Sequence, residues 1–257
     1  MDRVSPSLLA VEAPLQASLQ IPHQIPHQIP LQIPLPAPIV PIADDAPLRS
    51  ERLPFTIRAV RDEADLERVL AMRRAAYGRH TPEFAAGMTI EAGDRRDDTV
   101  LLLAESRLDR EAIGTMRIQT NRHGPLPLEG SVALPDWLDG CRLAEATRLA
   151  VRGGMIGRAV KVALCKALFL HCRSAAIDWM VITARSPLDR EYQAMLFEDV
   201  HGRPEFFPMA HVGGMPHRVL AKRVDAARRR WAEVRHPLYG YVFDTHHPDI
   251  DVSVPEA

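Results

Sequence analysis

The residues predict an α/β fold of the α+β kind, a mixed sheet with helices on both faces. Short apolar or alternating runs of strand length interleave with longer helical periodicities in the order β-α-β-β-β-α-β-α-β. With 257 residues, 46% hydrophobic and 25% charged, the chain has material for one large domain with a buried core or two small ones. Proline crowds one end and leaves the rest of the pattern nearly uninterrupted, since 11 of the 22 prolines precede Thr56.

That end is built on a four-residue repeat, Ile21-Pro22-His23-Gln24, Ile25-Pro26-His27-Gln28, Ile29-Pro30-Leu31-Gln32 and Ile33-Pro34-Leu35-Pro36. A proline in every repeat fixes φ and removes a backbone donor, which forbids both helix and central strand. Residues 1–53 are therefore expected to be a disordered, polyproline-like tail, either a spacer or a ligand for a partner. A domain over 54–245 and a C-terminal tail over 246–257 complete the expected organisation.

Phe55–Val60 has the pattern of a strand. A helix over Asp62–Gly78 follows, with Asp62 as N-cap and Leu66, Val69, Leu70, Arg73 and Tyr77 near one face. Residues 79–98 are polar and are expected to be a loop. Val100–Glu105 opens with five apolar residues, the mark of a buried strand. Ala112–Thr120 is a strand with Ile113, Thr115, Arg117 and Gln119 on one face. A proline-rich loop leads to a strand at Leu143–Val151. The turn Arg152–Gly157 precedes an apolar helix from about Arg158 to Ala175. Asp178–Arg185 is a strand, Pro187 opens a helix over Leu188–Val200, His217–Val224 is the last strand, and a basic helix covers Asp225–Val234. Tyr239–Ile250 is aromatic and irregular.

Composition narrows the function. Lys+Arg 32 against Asp+Glu 33 gives a net charge of -1, which argues against general nucleic-acid binding. The three cysteines, Cys141, Cys165 and Cys172, form no CxxC pair and are expected to be reduced thiols. No apolar run is long enough to span a membrane, and the N-terminus lacks a basic-then-apolar leader, so a cytoplasmic location is expected. His246-His247-Pro248-Asp249 lacks a spaced third ligand, and no metal is predicted.

Glu145 and Arg148 stand out because ionised groups inside an apolar strand are costly unless paired or used. Three residues apart on a regular strand, they point to opposite faces. They can share a site only if the strand carries a bulge, which also leaves a backbone N–H free for a developing oxyanion. The alternative is an ion pair to neighbouring strands. Arg117 is either a snorkelling surface arginine or, with Arg148, part of a carboxylate grip. Asp94 and Asp97 lie in a charged loop that by itself reads as solvated. His211 and His217 flank Gly213-Gly214 and read as part of a turn. Tyr192 is a possible acid or simply core. Arg218, Lys222, Arg223, Arg228, Arg229 and Arg230 make a local basic patch, either a solvated face or a dock for an acidic carrier protein.

The succession Arg73-Arg74-Ala75-Ala76-Tyr77, Asp94-x-x-Asp97, Gly114-Thr115-Met116-Arg117 and Glu145-x-x-Arg148-Leu149 resembles the acyl-homoserine-lactone synthases of the Gcn5-related N-acyltransferase (GNAT) superfamily. Its Glu-x-x-Arg-Leu-Ala-Val wording, with Ala184-Arg185 and His217-Arg218, more closely resembles the FeeM-type N-acyl amino acid synthases. The resemblance covers the domain and not the tail. It implies a mostly antiparallel GNAT-like sheet with a β-bulge in its central strand, and an enzyme that moves a fatty acyl group from a carrier-protein or CoA thioester to an amino acid α-amine. Glu145 would be the general base, Arg117 and Arg148 would hold the acceptor carboxylate, and Arg73, Asp94 and Asp97 would order one wall.

Two departures qualify it. The tryptophan that homoserine-lactone synthases carry after their first motif is missing from Gly78-Arg79-His80-Thr81-Pro82, which weakens a reaction with S-adenosylmethionine. Gly154-Met155-Ile156-Gly157-Arg158-Ala159 matches only the end of the superfamily's pyrophosphate loop. Gly154, Gly157, Arg158 and Ala159 would then line a phosphopantetheine arm, with acyl carrier protein (ACP) the favoured donor partner, CoA still allowed and no bound cofactor. Homoserine-lactone synthesis and a non-catalytic acyl-thioester-binding or scaffold role stand as the alternatives.

Overall fold

The computed structural model describes residues 48–253, so the repeats of the predicted tail lie outside the described residues. In chain order the elements are β1 (Arg49–Ser50), β2 (Phe55–Ala59), α1 (Glu63–Gly78), α2 (Pro82–Ala86), β3 (Thr99–Ser106), β4 (Ala112–Thr120) and β5 (Leu143–Val151). Then come α3 (Gly154–Ser174), β6 (Trp179–Ala184), α4 (Leu188–Ala194), β7 (Glu198–Asp199), β8 (Phe207–Met209), β9 (Met215–Arg223), α5 (Ala227–Glu233) and β10 (Thr245–His246). The large sheet has the order β2-β3-β4-β5-β6-β9-β7, with β8 also on β9. Every pair in it is antiparallel except β5 with β6.

The apolar alternation sets the layers. On one face, Ile57, Leu102, Met116 and Ile118 meet Val160, Leu164 and Leu168 of α3. Each such fully buried aliphatic side chain contributes about 1.5–3 kcal/mol. Gly114 permits the close approach, because a Cβ there would lie 2.5 Å from Val160. On the other face α1 packs Met72 and Ala76 against Ala150 of β5. Asp62 caps α1 by accepting a hydrogen bond from the Asp65 amide.

Several boundaries differ from expectation. Residues 79–98 contain α2 and a 3-10 turn at Ala92–Arg95 rather than only a loop. Helix α3 begins at Gly154, one turn early, because Gly157 lets its first turn close on the Arg152 carbonyl; a Cβ there would sit 1.6 Å from that oxygen. The helix expected over Leu188–Val200 stops at Ala194, Leu196 turns left-handed at φ 62, and Glu198–Asp199 joins the sheet edge on β9.

The C-terminal segment expected to be a tail is packed on the core as far as Val252. Asp249 is buried and accepts from the Leu53 amide (2.8 Å), Arg52 and Arg107. Ile250 bridges to Ile57, and β10 pairs with β1 inside the last residues of the expected N-terminal tail. Complementary charge and apolar burial, neither periodic along the chain, hold this strap. Among the described residues no helix is long and apolar enough to cross a membrane.

Candidate active site

The parallel pairing of β5 with β6 creates the site. Strands β5 and β6 pair from Leu143↔Trp179 to Ala146↔Ile182 and then diverge, although β5 continues to Val151 and β6 to Ala184. A cleft of about 230 Å³ fills the wedge, floored by residues 146–151 and 183–185 and walled by Tyr77, Tyr192, His211 and His217.

The bulge lies at Arg148 itself. Arg117 pairs with Thr147 and Thr115 with Ala150, so Arg148 and Leu149 together oppose Met116. Arg148 is left-handed at φ 53, a conformation that costs an L-residue about 1–2 kcal/mol. Its side chain is well anchored in compensation. Nε and Nη2 donate to Glu91 (3.1 and 2.5 Å), and Nη2 also donates to the His211 carbonyl (2.9 Å). The same Glu91 carboxylate accepts from Arg117 Nη1 (2.7 Å), while Arg117 Nε donates to Thr147 (3.0 Å). The bulge thus turns Arg148 to the side of β5 that carries Thr147 and Glu145.

Behind this lies a second layer of charge. Arg73, fully buried, donates bidentately to Asp94 at 2.8 and 3.0 Å, and Arg117 Nη1 reaches Asp94 at 3.2 Å. Burial alone would raise the Glu91 and Asp94 pKa values. The arginine hydrogen bonds and charges outweigh it, and both are lowered, so both carboxylates stay ionised. Gly93 leaves room for Arg117, whose Nη1 would lie 3.0 Å from a Cβ at that position.

Several predicted roles do not fit this placement. Arg117 does not line the cleft, and its Nε and Nη1 are bound to protein acceptors. Arg148 does line it, but Glu91 already occupies its bidentate edge. Only Nη1 has no protein partner among the described residues. Glu145 is wholly buried outside the cleft lining, accepting from the Leu128 amide (3.0 Å) while its Oε1 has no partner. Burial pushes its pKa up to about 8 against the weaker pull of that amide and Arg117, so it is mostly protonated at neutral pH. Direct contact with an attacking amine is closed to it in this arrangement.

Asp97 is exposed, whereas Asp98 beside it is buried and binds Arg96 and the His123 amide. Gly154, Gly157, Arg158 and Ala159 form the first turns of α3 beside the floor strand, and Gly154 needs its glycine at φ 80. Arg158 and Ala159 are exposed there. The basic patch dissolves. Arg218 is buried against Asp189 and Asp199, and Lys222 against Trp231. The other four all have acidic partners: Arg223 with Asp225, Arg228 with Asp244, Arg229 with Glu233 and Arg230 with Glu198.

Two histidines that flank Gly213-Gly214 like turn residues, His211 and His217, both line the cleft. Glu91, which holds the lining residue Arg148 from behind, carries no motif. Burial, reinforced by the charge of Arg148, lowers the His211 pKa to about 4, and burial also lowers that of His217 despite its bond to the Met215 carbonyl. Both rings are neutral near pH 7. The available signal was a histidine at the start of the last core strand, where side chains from β9 meet the end of β6. Tyr192 also lines the cleft, and it lines a second, smaller apolar chamber with Phe169, Phe197 and Trp231.

The model of the N-acyl amino acid synthase FeeM family matches residues 68–217, more than half of the chain and the span that holds every cleft-lining residue. The chain belongs to that family. It is accordingly an N-acyltransferase of the FeeM type.

Solved structures agree on the fold. The N-acyl amino acid synthase FeeM from uncultured soil microbes aligns with a TM-score of 0.57 at 15% identity, over 70% of this chain and 96% of that one. The CoA-dependent acyl-homoserine lactone synthase BjaI, solved with MTA, aligns at 0.51 and 19% identity, over 79% of this chain and 95% of that one. The mostly antiparallel, bulged GNAT-like sheet that the motifs imply is the fold observed. No curated protein matches the chain by sequence.

Proposed function

We propose that this FeeM-family enzyme transfers a fatty acyl group from a pantetheine thioester to the α-amine of an amino acid. The observation that carries the reading is the free edge of β5. Past Ala146 its β6 side has no strand partner among the described residues, and that edge borders the cleft. An extended pantetheine arm carries amides that can complete such an edge, as a peptide completes a sheet. The start of α3 stands at the end of this edge, where Gly154, exposed at φ 80, leaves the backbone uncovered.

In the reaction the amine nitrogen attacks the thioester carbon, the C–S bond breaks, and the amine loses a proton while the thiolate gains one. The developing oxyanion falls beside the bulge, where two β5 residues face one on β4 and the ladder leaves amides over. The Arg148 Nη1 protons add positive potential on the same wall. Tyr192, whose phenol is kept protonated by burial, is a proton source for the thiolate. The apolar chamber behind Tyr192, about 30 Å³, has to widen for the acyl chain to enter it. An acyl carrier protein is the favoured donor. Since the residues of the basic patch are buried or paired, Arg158, exposed in the first turns of α3 and without a side-chain partner among the described residues, is the basic group for its dock.

The test is incubation of the purified protein with long-chain acyl carrier protein or acyl-CoA and pooled amino acids, with S-adenosylmethionine in a parallel set. Mass spectrometry of the lipid extract is expected to show an N-acyl amino acid. An acyl lactone formed only with S-adenosylmethionine, or no product with either donor, would overturn the reading.

A further inference from the structure

Arg185 lines the cleft half-buried, and its side chain has no hydrogen bond or ion pair to any described residue. Every other arginine named in the charge network above is engaged by a carboxylate. A cation left unneutralised at the end of a floor strand is poised to receive an anion. His217 is its neighbour. Strand β6 pairs with β9 up to Ala184↔Arg218, so Arg185 and His217 are the next residues beyond that pair, both line the cleft, and the charge of Arg185 acts on the His217 ring.

The His217 ring is buried, and its Nδ1 lies 2.8 Å from the Met215 carbonyl oxygen. A carbonyl can only accept, so Nδ1 carries the proton and Nε2 keeps its lone pair. Nε2 is bonded to no described residue and is not sealed from solvent, and the residue lines the cleft.

We infer that Arg185 and His217 are the acceptor clamp of this enzyme: Arg185 binds the carboxylate of the α-amino acid, and His217 Nε2 removes the proton from its amine. The inference rests on the reaction proposed above. The two groups of an α-amino acid sit on one carbon, so the residues that bind them must be immediate neighbours, as these are. The amine nitrogen attacks the thioester carbon as its N–H proton passes to His217 Nε2. The thiolate leaves with the C–S electron pair and takes up a proton. Glu145 and Arg117, both outside the cleft lining, are thereby relieved of direct contact with the acceptor.

Surrounding charge favours the neutral ring. Arg185 at the end of β6 faces His217, and Arg148 from β5 and Lys161 from α3 line the same cleft. His211 beside it is itself neutral, and the phenols of Tyr77 from α1 and Tyr192 from α4 stay protonated. Arg79 and His80, just past α1, complete the titratable lining.

The experiment compares wild type, Arg185→Ala, Arg185→Lys and His217→Gln, each first checked for an unchanged melting curve. Acceptors are an amino acid that wild type acylates and the same amino acid as its α-carboxamide. Wild type is expected to prefer the carboxylate. Arg185→Ala should raise the amino acid KM about 10–100-fold, leave the acyl-donor KM in place and lose preference over the amide. Arg185→Lys should recover part of it. His217→Gln should lower kcat/KM about 100-fold or more at neutral pH and regain activity under alkaline conditions, where the amine is already neutral. Retained preference in Arg185→Ala, a raised donor KM instead, or an unaltered pH profile in His217→Gln would overturn the clamp. If even wild type makes no N-acyl amino acid, the proposed reaction itself falls. Should either variant melt early, the wild-type preference for carboxylate over amide decides: equal use of the two would refute the role of Arg185.

Discussion

Exchanging Glu145 for glutamine gives a pH signature that the arrangement around it fixes in sign and rough size. Its carboxyl is sealed between β4 and β6 with one hydrogen bond, from the Leu128 amide, and burial raises its pKa from 4.5 to about 8. A carboxyl whose folded pKa is raised stabilises most below its unfolded pKa and loses that contribution as pH climbs toward the folded value. Protonation on folding costs nothing below about pH 4.5. The difference between 4.5 and about 8 amounts to about 3 kcal/mol at pH 7 and about 5 kcal/mol once pH exceeds 8.

Glutamine keeps an acceptor for the Leu128 amide and never ionises. Urea unfolding followed by tryptophan fluorescence, at steps from about pH 5 to about pH 8, gives both stability curves. The Glu145→Gln protein is expected to match wild type at the acid end and to exceed it increasingly above that. Taking the difference cancels His211, His217 and Lys222, which also titrate abnormally but are common to both proteins. A gap that stays constant with pH would refute the reasoning and mean that Glu145 is ionised in the fold. Turnover at neutral pH is expected to survive this exchange and not His217→Gln. The opposite ranking would return the base role to Glu145.

Three further expectations follow from other parts of the fold. Asp94→Ala leaves Arg73 charged and sealed in the interior, and removal of one partner from such a pair should cost about 3–5 kcal/mol in urea unfolding. Gly157→Ala drives a methyl into the Arg152 carbonyl, so calorimetry should show a loss of about 1–3 kcal/mol, with the acyl-donor KM raised as the start of α3 shifts. Asp249→Ala strips the Leu53 amide, Arg52 and Arg107 of their common acceptor, and hydrogen exchange should accelerate in both β1 and β10 with little change in β5.

What the sequence could determine by itself was local or periodic. Asp62 announced the start of α1, and the termini of β4 and β5 fell at Ala112, Thr120, Leu143 and Val151 because apolar patterning and turn residues act within a few neighbours. The parity of Glu145 and Arg148 called for a bulge if the two were to share a site; a bulge is present at Arg148, although Glu145 stays outside the cleft lining. Tertiary structure decided what no spacing encodes. Glu91 precedes the 3-10 turn at Ala92–Arg95, and the folding of that loop over β4 and β5 presents its carboxylate to Arg148 and Arg117, in the position where the motifs implied a substrate carboxylate.

The same holds for charge. Arg218 and Lys222 look like surface basics in one dimension, yet antiparallel pairing with β6 carries both inward, where Asp189, Asp199 and Trp231 receive them. Conversely, Arg185 and His217, 32 positions apart in the chain, become adjacent only because β9 returns beside β6. Spacing fixes which face of its own element a residue occupies. The partner it meets there, and whether water or a substrate can reach it, depends on which strands lie side by side, a consequence of burial across the whole sheet.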